Sequence, residues 1–357
     1  MGSVWQPSAA RADHGRHGEQ RSWAIHGTGA YLPARRVSSG ELSRSLGLDP
    51  AWIEERTGIR HRHVAEPGQA ASDLAAAAAR RALAAAGLDA GDVGLIVLGT
   101  STPDELGPST ACRVQALLGA GRAAAFDVAA ACTGFVFGLS AAVGWLAGRP
   151  EPSPYALVIG VEVYSRFLNS GDRATAALFG DGAAAAVVGP VAPPYGLGPV
   201  EIGSDGSRAG DVLIPAGGSR APASPETLSG HGHTIHMDGR AVRDFIAEAF
   251  PRLVAEAAGE AGVKPADLAL VVPHQPNPRL VASLAGDAGL GPEQLVITGR
   301  DVGNIGAASL PFALDRAVRE GRIGAGDLVL LVGFGAGVTW GRALITWPAP
   351  GPSRGGD

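Results

Sequence analysis

The sequence GLDAGDVGLIVLGTST at residues 87–102 has a counterpart in the second half of the chain, GVKPADLALVVPHQPN at residues 262–277. The two stretches align without a gap, and each contains an apolar run typical of a strand buried on both faces. Two further pairs of segments recur in the same order, residues 126–132 with 296–304 and residues 156–161 with 327–332. The repetition predicts an α/β fold built from two duplicated halves.

The length of the chain agrees with two halves of this size. A chain of 357 residues can bury a large core, and we expect an N-terminal half over residues 23–190 and a C-terminal half over residues 191–348. Residues 1–22 are polar and lack the apolar segment of a signal peptide, and residues 349–357 are rich in Pro and Gly. We expect both ends to be disordered.

Composition argues against several classes of function. The net charge of −5, without a basic patch interleaved with aromatic residues, gives no sign of nucleic-acid binding. The alanine-rich helical segments are shorter than the ~20 apolar residues that a bilayer requires, so no membrane span is expected. Two cysteines, Cys112 and Cys132, lack metal-ligand spacing and suit a reducing cytosol. The loop histidines, His231, His233 and His236, have no carboxylate or thiol at ligand spacing, so we expect no metal.

Cys132 lies in the segment FDVAAACTGFVFG, residues 126–138, where a strand-like run passes through small residues and Gly134 into a helical run. This pattern predicts a strand-to-helix turn at which backbone N–H groups and the positive end of the helix dipole meet the thiol. We expect that environment to lower the thiol pKa and make Cys132 a nucleophile. The alternative is a small cysteine that only fills the core.

The duplication predicts which residues share a pocket with Cys132. Equivalent turns of two such halves face each other across a pseudo-twofold axis, so the loops carrying His274 and Asn304 are expected to point at Cys132. Taken singly, a histidine after a buried strand is more often a core hydrogen-bonding residue. An asparagine in a glycine-rich turn more often serves a left-handed backbone.

Four motifs together are similar to those of one family. They are ACTGF at residues 131–135, PHQPNPR at 273–279, GNIGAAS at 303–309 and GFGAGVTWG at 333–341. In order and spacing they resemble the motifs of the β-ketoacyl-[acyl-carrier-protein] synthase III family, which are condensing enzymes with the thiolase fold. The resemblance spans roughly residues 23–347, and it implies a layered α-β-α-β-α fold, a homodimer and a cytoplasmic acyltransferase.

The resemblance implies roles for three residues. Cys132 would accept an acyl group from acyl-CoA, with the oxyanion held by its own backbone N–H and by one from residues 335–337. A malonyl thioester, carried by CoA or by a carrier protein, would then lose carbon dioxide. His274 Nε2–H and the Asn304 amide would hold the resulting enolate while it attacks acyl-Cys132. No cofactor is implied.

The resemblance also assigns the walls and mouth of the pocket. The oxyanion and tunnel residues are Phe334, Gly335, Ala336, Gly337 and Gly107. The residues implied for CoA are Trp52, Arg56, Thr57, Arg173, Gly239 and Asn277, of which Trp52 and Arg173 would sandwich the adenine while Arg56 and Thr57 reach its phosphates. Arg279 matches an arginine that meets an acyl carrier protein. The alternative is that Trp52 is a half-buried helix anchor and Arg56 a surface charge. A lone arginine such as Arg279 is more often a solvated side chain.

Three departures from the family pattern indicate a specialised member. Gly107 replaces a bulky aromatic residue that reaches across the dimer into the partner's acyl pocket, which predicts a starter larger than acetyl in polyketide- or fatty-acid-type biosynthesis. Asp287 stands where the family tends to carry lysine, so a carrier surface would depend on Arg240, Arg243 and Arg252. Finally, residues beside the catalytic groups differ from the family pattern, at Pro276, Ile305, Gly306 and Ala336.

Two rival functions stay open on the sequence. One is acyl transfer to a hydroxyl or amine of a natural product without decarboxylation. Asn304 argues against it, because that reaction has no enolate to hold. The other is a non-catalytic subunit that shapes a partner's tunnel, and the intact Cys132 argues against it.

Overall fold

The computed structural model of the chain describes residues 22–148 and 155–349. The strands are β1 Ser22–Tyr31, β2 Arg35–Ser38, β3 His61–Val64, β4 Val93–Gly99, β5 Ala124–Val128, β6 Tyr155–Val163, β7 Asp181–Val191, β8 Gly196–Ser204, β9 Val212–Leu213, β10 His236–Met237, β11 Leu270–Pro273, β12 Leu328–Gly335 and β13 Thr339–Thr346. The helices are α1 Ser39–Ser45, α2 Trp52–Thr57, α3 Ala71–Ala86, α4 Thr110–Leu118, α5 Gly134–Ala147, α6 Arg173–Ala176, α7 Pro225–Ser229, α8 Gly239–Glu260, α9 Pro278–Ser283, α10 Gly299–Val302 and α11 Ser309–Arg319.

The expected disorder of the two ends falls on residues that lie almost entirely outside the described ranges. Ser22 and Ala349 are the exceptions, because Ser22 is already the first residue of β1 and Ala349 is the last residue of the described range. The division of the chain at residues 190 and 191 stays a prediction.

The N-terminal sheet has five strands in the order β1-β7-β6-β4-β5. Strand β4 runs parallel to β5 and β6, whereas β7 runs antiparallel to β6 and β1. This mixture follows from the connections, because β4, β5 and β6 are joined through helices and β7 returns beside β6. The carboxyl ends of β4, β5 and β6 therefore lie at one edge of the sheet.

The second sheet repeats this topology with four strands, in the order β11-β12-β13-β8. Its one parallel pair, β11 with β12, corresponds to β4 with β6, and its antiparallel pairs correspond to those of β7. The counterpart of β5 is reduced to a single parallel bridge between Leu295 and Val271. The duplication is therefore visible in strand order and direction, with one strand fewer in the second half.

Helices α5 and α11 lie between the sheets, and other helices cover the outer faces. The central core joins apolar residues of α5 and α11 to both sheets, among them Leu139, Leu314, Val158 and Leu331. Helix α3 packs outside the first sheet, and α8 packs outside the second. These layers are those of the thiolase fold, and the predicted α-β-α-β-α arrangement is confirmed.

Two glycine contacts pack the backbone closely around the start of α5, and the second of them joins the two halves. A Cβ on Gly99 would lie 2.5 Å from the Gly134 carbonyl carbon, and a Cβ on Gly160 would lie 2.1 Å from the Ala307 carbonyl oxygen. Only glycine permits backbones to approach this closely. Strands β4 and β6 are thereby pressed directly against the helix start and the Asn304 loop.

Strand β5 is the outer strand of its sheet, and its surroundings are apolar. The exposed large apolar side chains include Phe126 on β5, Leu117 on the adjacent α4, and Leu106 in the loop before α4, which is 88% exposed. An open edge flanked by such side chains is a surface that soluble proteins rarely leave uncovered. Among the described residues, no helix is long and apolar enough to cross a bilayer.

Candidate active site

Cys132 lies in a single 3-10 turn, Ala131–Thr133, that leads directly into α5. The preceding Ala131 has a positive φ of 47°, which is unusual for a residue with a side chain. Thr133 fastens the turn by donating to the Ala130 carbonyl at 2.6 Å and by a 2.8 Å hydrogen bond to Thr339. The predicted strand-to-helix turn is therefore present, and it presents Cys132 at the helix start.

The glycine-rich loop after β12 packs against this turn. A Cβ on Gly335 would lie 3.0 Å from the backbone nitrogens of both Cys132 and Thr133. Gly335, Ala336 and Phe334 line the same cavity as Cys132, whereas Gly337 is not among the lining residues. The structure thus brings two candidate oxyanion segments together beside the thiol.

His274 follows β11 and is held by that strand. Its backbone N–H donates to the Val332 carbonyl at 2.8 Å, and its ring packs edge-on against Phe334 at 6.1 Å between centroids. The ring is 1% exposed, and Nδ1 has no hydrogen-bond partner among the described residues. Burial lowers the pKa of His274 to about 3, so the ring is neutral near pH 7.

Asn304 is fixed by backbone and side-chain hydrogen bonds. Its N–H donates to the Leu178 carbonyl at 2.8 Å, and its carbonyl accepts from Gly180 N–H at 3.0 Å. The side-chain Oδ1 accepts from Gly306 N–H at 2.9 Å. The amide NH₂ is therefore the end of the side chain left for the cavity, as the enolate role requires.

Cys132, His274 and Asn304 line one cavity of about 890 Å³. The first half contributes Thr100, Ser101, Ala129 and Cys132 to its wall, and the second half contributes the loops of His274 and Asn304. Beyond the thiol the wall is mainly apolar, with Phe179, Ile235, Phe245, Ile246 and Leu280 among the lining residues. The meeting of these three residues, which the duplication predicted, is present in the structure.

The predicted lowering of the Cys132 thiol pKa is wrong. Burial and the nearby Glu162 carboxylate raise the pKa of Cys132 to about 12, and the Tyr164 hydroxyl and the backbone N–H only partly oppose this. The helix start does supply the N–H, but the cost of placing a thiolate in a dry cavity is larger. The resting group is a neutral thiol.

Only some of the residues implied for CoA lie in the wall of the cavity. Arg56, Gly239 and Asn277 line the cavity. The guanidinium groups of Arg56 and Arg173 lie 5.0 Å and 5.9 Å from the centre of the Trp52 ring. Trp52 and Arg173 are therefore neighbours, and their sandwich around adenine stays a prediction. Thr57 is different, because its hydroxyl is buried and donates to the Ile53 carbonyl at 2.7 Å. The structure does not direct it at a ligand.

Two other predicted residues lie apart from the thiol. Gly107 is in the exposed loop before α4, with no atom within 4 Å of a Cβ placed on it, and it does not line the cavity of its own chain. Arg279 lines the cavity mouth and donates to the Glu55 carbonyl, which ties α9 to α2. Among the described residues, no group of three or more His, Cys, Asp or Glu side chains is placed to hold a metal ion.

Sequence reasoning missed Glu162 and Tyr164. Glu162 is completely buried at the end of β6, and Tyr164 lines the cavity beside Cys132. Burial raises the pKa of Glu162 to about 8, against hydrogen bonds from Thr102, Ser101 and Ala307. The available signal was one acidic residue inside the apolar segment YALVIGVEV.

Comparison with known sequences agrees with this architecture. Residues 126–206 match the profile of 3-oxoacyl-[acyl-carrier-protein (ACP)] synthase III, and residues 258–347 match the profile of its C-terminal part. A β-ketoacyl-[acyl-carrier-protein] synthase III from Caldanaerobacter subterraneus is 42% identical over 92% of this chain and 99% of its own length. The acetoacetyl CoA synthase NphT7 of a Streptomyces species is 46% identical over 90% of this chain and 98% of its own length.

Solved structures give the same picture. The 3-oxoacyl-(acyl carrier protein) synthase III of Pseudomonas aeruginosa superposes with a TM-score of 0.83 at 38% identity, covering 92% of this chain and 99% of that one. The priming β-ketosynthase of a polyketide biosynthetic pathway superposes with a TM-score of 0.85 at 35% identity, covering 94% of this chain and 99% of that one.

The fold and these relatives define a thiolase-fold condensing enzyme, an acyltransferase. The chain belongs to the 3-oxoacyl-[acyl-carrier-protein] synthase III family. The enzyme condenses an acyl group from acyl-CoA with a malonyl thioester, with loss of carbon dioxide, and this chemistry uses no cofactor.

Proposed function

We propose that Cys132 carries the acyl group and that His274 and Asn304 stabilise the enolate of the malonyl thioester. The observation that carries this proposal is the convergence of the three residues, from both halves, on one cavity of about 890 Å³. A cysteine with only a structural role would need neither the buried neutral imidazole of His274 nor the Asn304 NH₂ group directed into the cavity. Both are donors suited to a developing anion in a dry site.

In the first half-reaction Cys132 Sγ attacks the thioester carbonyl of acyl-CoA. The oxyanion lies between the backbone N–H of Cys132 and the Gly335 segment, and collapse of the intermediate releases CoA as a thiol. Arg56 at the mouth and the Trp52–Arg173 pair beside it are placed to bind the nucleotide end of CoA.

In the second half-reaction a malonyl thioester enters the emptied channel and loses carbon dioxide. The enolate oxygen accepts hydrogen bonds from His274 Nε2–H and the Asn304 amide, and its carbon attacks acyl-Cys132. Because burial holds His274 neutral, its ring donates as an imidazole rather than as an imidazolium. The product is a β-ketoacyl thioester, and Cys132 is regenerated.

The malonyl group is recognised through a phosphopantetheine thioester, which CoA and an acyl carrier protein share. Arg56, Arg243 and Arg279 line the cavity mouth and offer positive charge to either carrier. Arg243 is paired with Asp244 at 2.9 Å, and Arg252 is paired with Glu256 at 3.1 Å, so these two arginines are partly neutralised. Arg279, Arg56 and Arg240 are left as the main contacts for a carrier protein.

We further propose a cytoplasmic homodimer formed through β5. The open strand edge and the exposed Phe126, Leu117 and Leu106 support it, because a second copy pairing there would cover all of them. The exposed loop of Gly107 would then extend toward the partner subunit, and the small residue would leave room for a starter larger than acetyl. The two free thiols agree with the reducing cytoplasm.

The experiment that tests the reaction follows carbon dioxide and the acyl adduct separately. The enzyme is incubated with acyl-CoA, and intact mass locates the acyl group on Cys132. The loaded enzyme then receives ¹⁴C-malonyl-CoA or ¹⁴C-malonyl-carrier protein, and released ¹⁴CO₂ is counted. Release with CoA alone, with the carrier alone or with both identifies the acceptor. An adduct without ¹⁴CO₂ from either donor, together with ester or amide formation on an added alcohol or amine, contradicts condensation by these residues.

A further inference from the structure

Glu162 is a buried carboxyl to which the proposed reaction assigns no role. Its oxygens accept hydrogen bonds from Ser101 N–H at 3.1 Å, Thr102 Oγ1 at 2.9 Å and Ala307 N–H at 3.4 Å. All three donors are uncharged, and Glu162 is 0% exposed. Burying a carboxylate without a cation is costly, so its retention next to a reactive thiol requires an explanation.

Tyr164 connects Glu162 to the cavity. A Cβ on Gly306 would lie 2.6 Å from both Glu162 Cγ and Tyr164 Oη, so the two side chains meet over that glycine. The hydroxyl donates to Ser101 Oγ at 3.5 Å, and the ring packs against Phe179 at 4.8 Å. The hydroxyl is also near enough to Cys132 and Glu162 to change the pKa of both. Tyr164 therefore meets Glu162 on one side and lines the cavity of Cys132 on the other.

The resting thiol must lose a proton before it can attack a thioester. His274 is a poor acceptor for it, because burial lowers its pKa to about 3. The carboxyl of Glu162 has a pKa of about 8, raised chiefly by burial, and this is close to the range in which a general base works near neutral pH. The titratable groups around the thiol are Glu162 and Tyr164 from the β6 side and His274 from β11.

We infer that Glu162 receives the Cys132 proton through the Tyr164 hydroxyl when Cys132 is acylated. The Sγ–H proton passes to Tyr164 Oη while the Tyr164 proton passes to a Glu162 oxygen, and Sγ forms its bond to the acyl carbon. When the bond between that carbon and the CoA sulfur breaks, the leaving thiolate takes the proton back by the same two groups. The net change is one acyl transfer and one CoA thiol. Glu162 acts through Tyr164 and is therefore a positioning residue. This inference rests on the proposed role of Cys132 as the nucleophile.

In this arrangement Cys132 and Glu162 compete to carry a single negative charge. Ionised Glu162 raises the pKa of Cys132, so the two groups do not ionise together readily. Acylation should then accelerate as the pH rises toward 8, because the ionised carboxyl is the form that can accept the proton. A carboxyl with a purely structural role gives no such dependence.

The test compares Glu162→Gln and Tyr164→Phe in a Cys112→Ser background, which removes the exposed second thiol. Two rates are measured from pH 6 to pH 10, alkylation of Cys132 by iodoacetamide and single-turnover acylation by acyl-CoA. In Glu162→Gln alkylation should be about tenfold faster at a given pH, because loss of the repelling charge lowers the thiol pKa. Its acylation should nevertheless fall by about 10²-fold and lose its rise toward pH 8. Tyr164→Phe should slow acylation similarly and shift alkylation to higher pH.

Three further variants complete the test. Asp315→Asn alters another buried carboxyl, which pairs with Arg319 and does not line the cavity, and should leave both profiles unchanged. The double variant should be no slower than the slower single variant, because both changes interrupt one path. Glu162→Asp keeps a carboxyl and should restore the pH dependence. If Glu162→Gln does not fold, Tyr164→Phe and Glu162→Asp decide the question.

The outcomes separate this inference from the proposed function. An unchanged acylation profile in Tyr164→Phe or Glu162→Gln overturns the inference. So does a loss of acylation and alkylation in parallel with no shift of either profile, because that pattern reports disturbed packing. Absence of any acyl adduct on wild-type Cys132 instead overturns the proposed function.

Discussion

The backbone N–H of Gly306 donates to Asn304 Oδ1 at 2.9 Å and so fixes which end of the amide faces the thiol. A hydrogen-bonded oxygen leaves the NH₂ group as the side chain's free donor. An aspartate at this position would present a second oxygen to the cavity, repelling an enolate rather than holding it.

Asn304→Ala and Asn304→Asp should therefore separate the two half-reactions. Acylation of Cys132 should stay within a few fold of wild type, whereas condensation should fall by about 10²- to 10³-fold, the usual effect of losing one donor to an oxyanion. Intact mass measures the first step, and ¹⁴CO₂ release measures the second. Asn169→Ala, at an exposed turn, serves as the control. Equal losses in both steps would show that Asn304 does not act on the enolate specifically.

Neutral His274 makes stability depend on pH. The unfolded imidazole protonates near pH 6.5, but the folded one protonates only near pH 3. The unfolded state therefore binds more protons between these values, and the contribution of this group is fully present above pH 6.5 and lost as the pH falls. Relative to His274→Asn, the wild type should lose about 2 kcal/mol of unfolding free energy between pH 7 and pH 5. Urea unfolding of both proteins at the two pH values measures this difference. Parallel curves would contradict a buried neutral ring.

The start of α5 should tolerate no side chain at Gly134. A Cβ there would lie 2.9 Å from Gly99 Cα and 3.3 Å from Ala307 Cβ, whereas Gly144 on the same helix has no atom within 4 Å of such a Cβ. Gly134→Ala should destabilise the fold by about 1–3 kcal/mol and slow acylation, because it displaces the Cys132 turn. Gly144→Ala should stabilise it by about 0.5–1 kcal/mol. Thermal and urea unfolding report the stabilities, and similar values for the two variants would contradict the close contact.

The proposed dimer depends on the β5 edge. Phe126→Arg places a charge where a second copy would pack, so it should convert the protein to monomers in analytical ultracentrifugation. Leu228→Arg changes another exposed apolar residue, on α7, and should leave the assembly intact. A dimer that survives Phe126→Arg at micromolar concentration would place the interface elsewhere.

The proposed starter size depends on Gly107. Wild type should acylate with a medium-chain acyl-CoA at least as fast as with acetyl-CoA, and Gly107→Phe should reverse that preference by about tenfold, the lower end of what contacts in an acyl pocket discriminate. Single-turnover acylation across an acyl-CoA series measures both. If acetyl-CoA is the fastest wild-type substrate, Gly107 does not select a starter larger than acetyl.

The principal residues of the site could be predicted because each lies on a turn of a repeated pattern. Cys132, His274 and Asn304 lie on turns whose equivalence is visible in the sequence, and duplication places equivalent turns face to face. The two α/β halves were predicted from the same repeat, whereas the layered arrangement was implied by the family resemblance, and it is confirmed. The missing counterpart of β5 could not be predicted, because the residues around Leu295 keep an apolar pattern while forming only one bridge.

The electrostatics of the site could not be read from the sequence. A helix start favours a thiolate, and that part of the expectation is sound. The pKa of Cys132 is nevertheless set by how deeply the turn is buried and by Glu162 on β6, the next strand along the chain. Burial depth and a neighbour 30 residues distant are properties of the assembled core. For the same reason, Thr57 resembled a ligand residue although its hydroxyl closes the end of its own helix.

The contact between Gly160 and the Ala307 carbonyl limits how this enzyme can be redesigned. It joins a strand of one half to the Asn304 loop of the other with no room for a methyl group. The halves are therefore not interchangeable modules, although they descend from one repeated pattern. A chimera that takes its second half from a relative must therefore place the backbone at residue 307 in the same position against Gly160. Otherwise the Asn304 loop will be displaced relative to Cys132, and the group that is acylated will no longer lie beside the group that holds the enolate.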